Sequence, residues 1–365
     1  ATSRAFEGAS SPASTPARPF REMVLALAFA WGGSALRLAS GGPALRRSLC
    51  INARTGGGET LAPAGARLPY DHRYHAGNAV DVFKHVVLLS MLRSMAQKAK
   101  PFAYVDTHAG AGLYGLDAAE SLVLREFDNG IGMLREMDDF STAPPIIEDF
   151  VNLQTQTSTS LDRQVYLGSA AVARCMLRAG DHALCFERSN EVHGVLSEHM
   201  DQLTAALGGA EDPRCLVRCE DGWAGLRLAS QALSAQRGLV FVDPPYQDGS
   251  DTDQSVKMLK HLRKTWRSAR VALWYPLSEY SSANRDRLHA AAKELDCDVL
   301  VAEFSIASPS EQRRLPGSGF LFVQPPFQLQ EELNDLLPKL GDLLKCRDDD
   351  AVQANVFALK TGKNG

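Results

Sequence analysis

The chain lacks what would make it a membrane protein, a zinc protein or a disulfide scaffold. No apolar run approaches the roughly 20 residues that a spanning helix needs; the best, residues 23–31, is too short. Seven cysteines, at positions 50, 175, 185, 215, 219, 297 and 346, form no Cys-x-x-Cys pair and are odd in number. Reduced thiols packed as small hydrophobes are therefore expected rather than a disulfide framework. Nine histidines show no zinc-ligand spacing, and no metal is expected. Lysine and aspartate are both missing from the first 67 residues, which carry eight Arg and only three Glu among abundant Ala, Ser, Gly and Pro.

That first composition, basic through arginine and poor in acids, is the pattern of an organellar transit peptide. Residues 1–67 are expected to be a disordered extension that targets the protein to a chloroplast or mitochondrion; without such a signal the protein would be cytoplasmic. The extension is net positive, so the remaining body is more acidic than the −4 of the whole chain. An acidic body is a poor general binder of polyanions. Any nucleic-acid contact needs a local basic patch, for which the candidates are Lys257, Lys260, Arg263, Lys264, Arg267 and Arg270, or Arg313 and Arg314.

With 365 residues, 45% of them hydrophobic, the chain can bury a large core. From residue 68 onward, strand and helix signals alternate. Strands are expected at 101–106, 183–187, 215–219, 238–242, 270–275, 299–304 and 320–323, with helices at about 78–97, 190–207, 222–233, 253–266, 283–295 and 329–344. Repeated strand–helix units argue for a doubly wound α/β fold. Its seven-stranded, mostly parallel sheet would carry a reversed last strand. Asp106 and Glu187 lie much farther apart than the ~20 residues of a plain nucleotide-binding unit. A small helical subdomain is therefore expected to be inserted at 113–167. The main domain is taken as 68–344 and the remainder, 345–365, as a C-terminal tail of no clear role.

The most telling stretch is Leu239-Val-Phe-Val-Asp243-Pro244-Pro245-Tyr246. Its apolar run reads as a central strand covered on both faces. Two prolines then end pairing, since neither can donate to a ladder. A carboxylate and an aromatic ring are thereby fixed at the carboxyl end of a strand, where open α/β sheets bind ligands. Asp106-Thr-His108-Ala-Gly110-Ala-Gly112 follows the first strand. It lacks the third glycine of a dinucleotide loop and begins with an acid that would repel a pyrophosphate but suits the amino group of a methionine moiety. The ligand is therefore expected to be S-adenosylmethionine. Glu187 can accept both ribose hydroxyls, and Asp221-Gly222 can meet the adenine amine, although Asp221 is equally suited to cap the next helix. The Ser169 hydroxyl of Gly168-Ser169 could cap its helix or touch the cofactor. Lys84 and His85 are expected beside the apolar stripe of the first helix.

His75-Ala-Gly-Asn, Asp81-Val-Phe-Lys-His85, the Asp106–Gly112 loop, Gly168-Ser169, Asp221-Gly222, Asp243-Pro-Pro-Tyr246 and Leu273-Trp-Tyr-Pro276 occur in one order. As a set they resemble the bacterial large-subunit (23S) ribosomal RNA adenine-N6 methyltransferase J family over about residues 68–344. The resemblance implies a monomeric class I methyltransferase that modifies one adenine of large-subunit rRNA. It places Lys84, His85, His108, Ser169, Glu187, Asp221 and Gly222 at the cofactor, to which the reading of the loop and the corner adds Asp106, Gly110 and Asp243. It makes Asp243 catalytic and puts Tyr70 against the substrate base; Pro244 and Tyr246 are expected to complete the catalytic corner, with His72 and Tyr246 also against the RNA. Ala170 stands where the family often has proline, and the long extension before Tyr70 is a further departure. A DNA adenine-N6 methyltransferase and a non-catalytic RNA-binding assembly factor are the alternatives.

Overall fold

The apolar run before Asp243 is a strand covered on both faces, and the rest of the fold is arranged around it. The computed structural model describes residues 71–207, 214–246, 249–278, 281–307, 317–346 and 350–362. The extension, Tyr70, Arg313 and Arg314 lie outside the described residues. In chain order, helix α1 (Ala79–Ala96) precedes strand β1 (Phe102–Asp106). Next come β2 (Leu113–Gly115), α2 (Ala119–Leu124), α3 (Ile131–Arg135), α4 (Pro145–Ser160) and β3 (Val165–Leu167). The alternation then resumes with α5 (Ser169–Met176), β4 (His182–Glu187), α6 (Asn190–Ala206), β5 (Arg214–Cys219), α7 (Gly222–Ala232) and β6 (Arg237–Val242). It closes with α8 (Ser250–Thr265), β7 (Ala269–Leu277), α9 (Ser282–Lys293), β8 (Val299–Ala307), β9 (Gly317–Val323), α10 (Leu329–Leu343) and β10 (Ala351–Lys360).

The main sheet has the order β5-β4-β1-β6-β7-β9-β8-β10. The strands β5, β4, β1, β6 and β7 run parallel. The expected reversed strand is β9, antiparallel to both β7 and β8. Alternate residues of each central strand enter different cores. Phe102 and Tyr104 of β1, Leu239 and Phe241 of β6, and Phe320 and Phe322 of β9 pack on one face. Ala103, Val105, Val240, Val242, Leu321 and Val323 pack on the other. With both faces covered, every position must be apolar, which is why these strands show no polar alternation.

Three expectations need correction. The sheet has eight strands among the described residues, because residues 351–360, taken as part of a tail, pair antiparallel with β8 from Ala351↔Ala307 onward. This edge strand is only half covered and its exposure alternates, so it carries none of the apolar density that marked the others. The insertion at 113–167 is not purely helical: its two ends, β2 and β3, pair with each other and close it at the base. Finally, α1 has no solvent-facing side through its middle. Asp81 to Leu92 are all buried, so Lys84 and His85 lie inside the protein rather than beside a stripe.

Gly341 of α10 sits so close to β10 that a Cβ there would meet Val352 Cγ1 at 2.3 Å. Gly341→Val should therefore lower stability by about 1–3 kcal/mol through overpacking. A urea midpoint unchanged from wild type would mean that β10 is not docked on α10.

Candidate active site

Parallel register puts Val242 opposite Leu273. Asp243 thus emerges at the level of Trp274, just where the prolines stop the ladder. Its Oδ2 lies 2.8 Å from the Lys84 ammonium, and Lys84 is 3.5 Å from Asp81 Oδ1. The same ammonium sits 4.5 Å from the centre of the Trp274 ring. Burial opposes the Lys84 charge, but Asp243 and Asp81 together outweigh it and raise its pKa above the ordinary lysine value. Tyr246 completes the corner with φ +50°, a left-handed conformation that costs a non-glycine residue about 1 kcal/mol or more. Its hydroxyl donates to the Trp274 carbonyl at 2.9 Å, and the two rings are 6.0 Å apart.

The start of α1 holds this corner from the other side. Asn78 caps the helix by accepting from Asp81 N–H, and its own amide donates to Glu126 Oε2 at 2.9 Å. Asp81 Oδ2 accepts from the Gly77 N–H at 3.0 Å and meets His72 Nε2 at 2.9 Å. Burial alone would raise the Asp81 pKa, but His72 and Lys84 hold it well below the usual carboxylate range. Among the expected RNA contacts, His72 is thereby tethered at the site. His75 Nδ1 lies 3.0 Å from Glu126 Oε1.

The glycine loop after β1 forms the neighbouring edge. Asp106 is fully buried and accepts hydrogen bonds from the Tyr104 hydroxyl and the His108 N–H, with Ser169 beside it helping to stabilise its charge. Desolvation nevertheless pushes it up to about 6. Ser169 thus acts on the Asp106 charge, and its own helix is capped at Gly168 without a side-chain bond. Gly110 and Gly112 have φ of +60° and +75°, and a Cβ at 110 would strike the Tyr114 hydroxyl at 2.3 Å. Thr107 N–H donates to the Phe241 carbonyl at 3.1 Å, joining this loop to the strand that ends at Asp243.

Farther along the same rim, Glu187 is half-buried and accepts from Ser189 N–H at 2.7 Å. Asp221 caps α7 by accepting from Ala224 N–H at 3.0 Å. Gly222 approaches the Thr107 carbonyl so closely that a Cβ would lie 1.8 Å from it. His108 stands edge-on to Trp223 at 5.2 Å, and burial brings it down to about 4. His85 bonds the Tyr166 hydroxyl at 2.7 Å and is likewise lowered by burial, to about 3. Both imidazoles are neutral at physiological pH.

The basic stretch of α8 and β7 does not join this rim. Lys260 pairs with Glu294, while Arg263 and Arg267 share Asp296, all toward the end of α8 and the start of β7 and so at the opposite end of the sheet. Two residues at the corner were given no role from the sequence. Asp81 could have been found as an acid three residues before a lysine inside an apolar helix. Trp274 was visible only as part of a motif. Among the described residues no three His, Cys, Asp or Glu side chains are placed to hold a metal, and no helix is long and apolar enough to cross a membrane.

A mostly parallel sheet with β9 reversed inside it and β10 reversed at its edge, together with a proline-locked Asp243 at its end, is the architecture of a class I methyltransferase. More particularly, the family model described as "Ribosomal RNA large subunit methyltransferase D, RlmJ" matches residues 99–351, and the chain belongs to that family. It is 31% identical over 282 residues to ribosomal RNA large subunit methyltransferase J of Haemophilus influenzae, covering 76% of this chain and 94% of that protein. Identity to the Escherichia coli protein of the same name is 30% over 277 residues, with the same coverage. A solved Legionella pneumophila structure shares the fold, with a TM-score of 0.65 at 22% identity, covering 80% of this chain and 99% of that one.

Proposed function

We propose that this protein transfers a methyl group from S-adenosylmethionine to the N6 amine of a single adenine in large-subunit rRNA. The observation that carries the reading is the Asp243-Pro-Pro-Tyr246 corner, rigid and ion-paired to Lys84, in a member of this family. Site chemistry supports the cofactor. Asp106 is a buried acid beside a loop whose glycines leave space that a side chain would fill, Glu187 is accessible at the end of β4, and Asp221 borders the same rim. In this reading Asp106 faces the amino group of the methionine moiety, Glu187 the ribose hydroxyls and Asp221 the adenine end. Lys84, His85, His108, Gly110, Ser169 and Gly222 shape the walls. S-adenosylmethionine supplies an electrophilic methyl group when bound.

The chain's own residues prepare the nucleophile. The target adenine leaves its stack and packs against Tyr246. The Asp243 carboxylate and the Pro244 carbonyl accept hydrogen bonds from the N6 amine. This draws nitrogen towards tetrahedral geometry and exposes its lone pair. Asp243 or solvent takes the proton released on transfer. Holding the amine aligned at a fixed corner is worth up to about 7–11 kcal/mol of the barrier. Lys84 keeps Asp243 in place until the amine arrives. Tyr70 and His72 meet the RNA, and the protein works as a monomer without a metal. The arginine-rich extension supports import into a chloroplast or mitochondrion before the enzyme acts.

The test is to incubate the protein with labelled S-adenosylmethionine and unmodified 23S-type rRNA, then map the label. The reading predicts one N6-methyladenosine, with Asp243→Ala slowing turnover at least about a hundredfold while cofactor affinity holds. Label on duplex DNA alone, or none despite cofactor binding, would overturn it. Cofactor affinity should also depend on pH. With its pKa near 6, Asp106 loses its charge on acidification, so binding should weaken as pH falls through about 6. In Asp106→Asn calorimetry should find weaker binding without that pH step; a step that persists would assign it to another group.

A further inference from the structure

Trp274 belongs to a run that no catalytic step above employs, and its indole N–H is unsatisfied. The residue is 7% exposed, and Nε1 is enclosed without any acceptor. Trp266, also buried, shows the usual arrangement by donating from Nε1 to the Gln236 carbonyl at 2.8 Å. Tryptophan can only donate, and buried donors in native proteins are nearly always paired. An orphan of this kind calls for a missing partner.

Its neighbours say where that partner belongs. Trp274 is the β7 residue level with Asp243, because Val242 and Leu273 are in register. The Lys84 ammonium lies 4.5 Å from the ring centre while bonding Asp243 at 2.8 Å. Tyr246 stands 6.0 Å away, hydrogen-bonded to the Trp274 carbonyl. The indole is thus part of the corner where the amine of the base is to be held. Lys84 also has a second berth, since Asp81 Oδ1 is already within 3.5 Å. Moving towards Asp81 would release Asp243 and withdraw the ammonium from the face of the indole in one motion of a flexible side chain.

Given the proposed adenine methylation, on which this step rests, we infer that Trp274 reads the target base by donating its indole N–H to a ring nitrogen of the adenine. Adenine N1 is the acceptor beside the amine, whereas guanine carries a hydrogen at N1 and would present donor to donor. The contact thus adds selectivity that a stacking ring alone does not provide, because every base has a π-face.

The test is a cycle between protein and substrate. An RNA fragment bearing the mapped adenine is compared with versions carrying 1-, 3- or 7-deazaadenosine there, using the full chain and Trp274→Phe. The phenylalanine keeps a ring beneath Lys84 but cannot donate. Removing the contact should lower kcat/KM roughly tenfold, with cofactor affinity unchanged. One deaza substrate should show the same loss with the wild-type protein and no further loss with Trp274→Phe. Full additivity for all three analogues, or wild-type activity in Trp274→Phe, would overturn the inference. Should that variant fail to fold, the wild-type indole ¹⁵N–¹H signals decide: one moves downfield when RNA and S-adenosylhomocysteine bind, and no movement overturns it. Failure of the wild-type protein to methylate any adenine would instead defeat the functional reading itself.

Discussion

A buried ammonium between two carboxylates is the constraint on which this site depends. Lys84 comes from a helix enclosed by the rest of the protein, and Asp243 stands where the central strand can no longer pair. Their 2.8 Å contact ties the two together across the end of the sheet. A charge so enclosed is costly unless it is paired, and removing one partner of such a pair is far more damaging than its net contribution suggests. Asp81 shares the load and in turn holds His72 and the entry to α1. A single network therefore sets the positions of the His72 imidazole, the lysine and the acid that are proposed for RNA contact and catalysis.

Around that network the backbone is held in conformations that ordinary packing would not choose. Tyr246 is left-handed, two glycines of the loop after β1 have positive φ, and Gly222 lets α7 press against Thr107. Each is tolerated because the surrounding sheet leaves no alternative, and such strain gathers where geometry must be exact enough for chemistry. The rim gathers Asp106, Glu187, Asp221 and Asp243, which suits a cationic cofactor. RNA phosphates must then be met by parts of the surface away from it. Within the body the arginines near the end of α8 are already occupied by Asp296.

Most of the sheet could be read from the sequence because its central strands are covered twice and so must be uniformly apolar. The proline pair marked the corner, and the acids ending β1 and β4 marked the side proposed for the cofactor. What stayed hidden depends on burial by distant elements. Strand β10 escaped notice because an edge strand packed on one side carries few large apolar residues. The enclosure of Lys84 and His85 could not be read from α1 alone, since the insertion, α5 and α10 bury it. No local pattern reveals that Ser169 acts on the Asp106 charge, or that the Trp274 indole lacks an acceptor. Those facts belong to side chains brought together over more than 60 positions of sequence.

The central claim is that Lys84 and Asp243 are coupled, and a double-mutant cycle measures that directly. Urea unfolding of Lys84→Met, Asp243→Asn and the double variant should give a coupling energy of about 1–3 kcal/mol. Additive losses, with coupling near zero, would contradict the account.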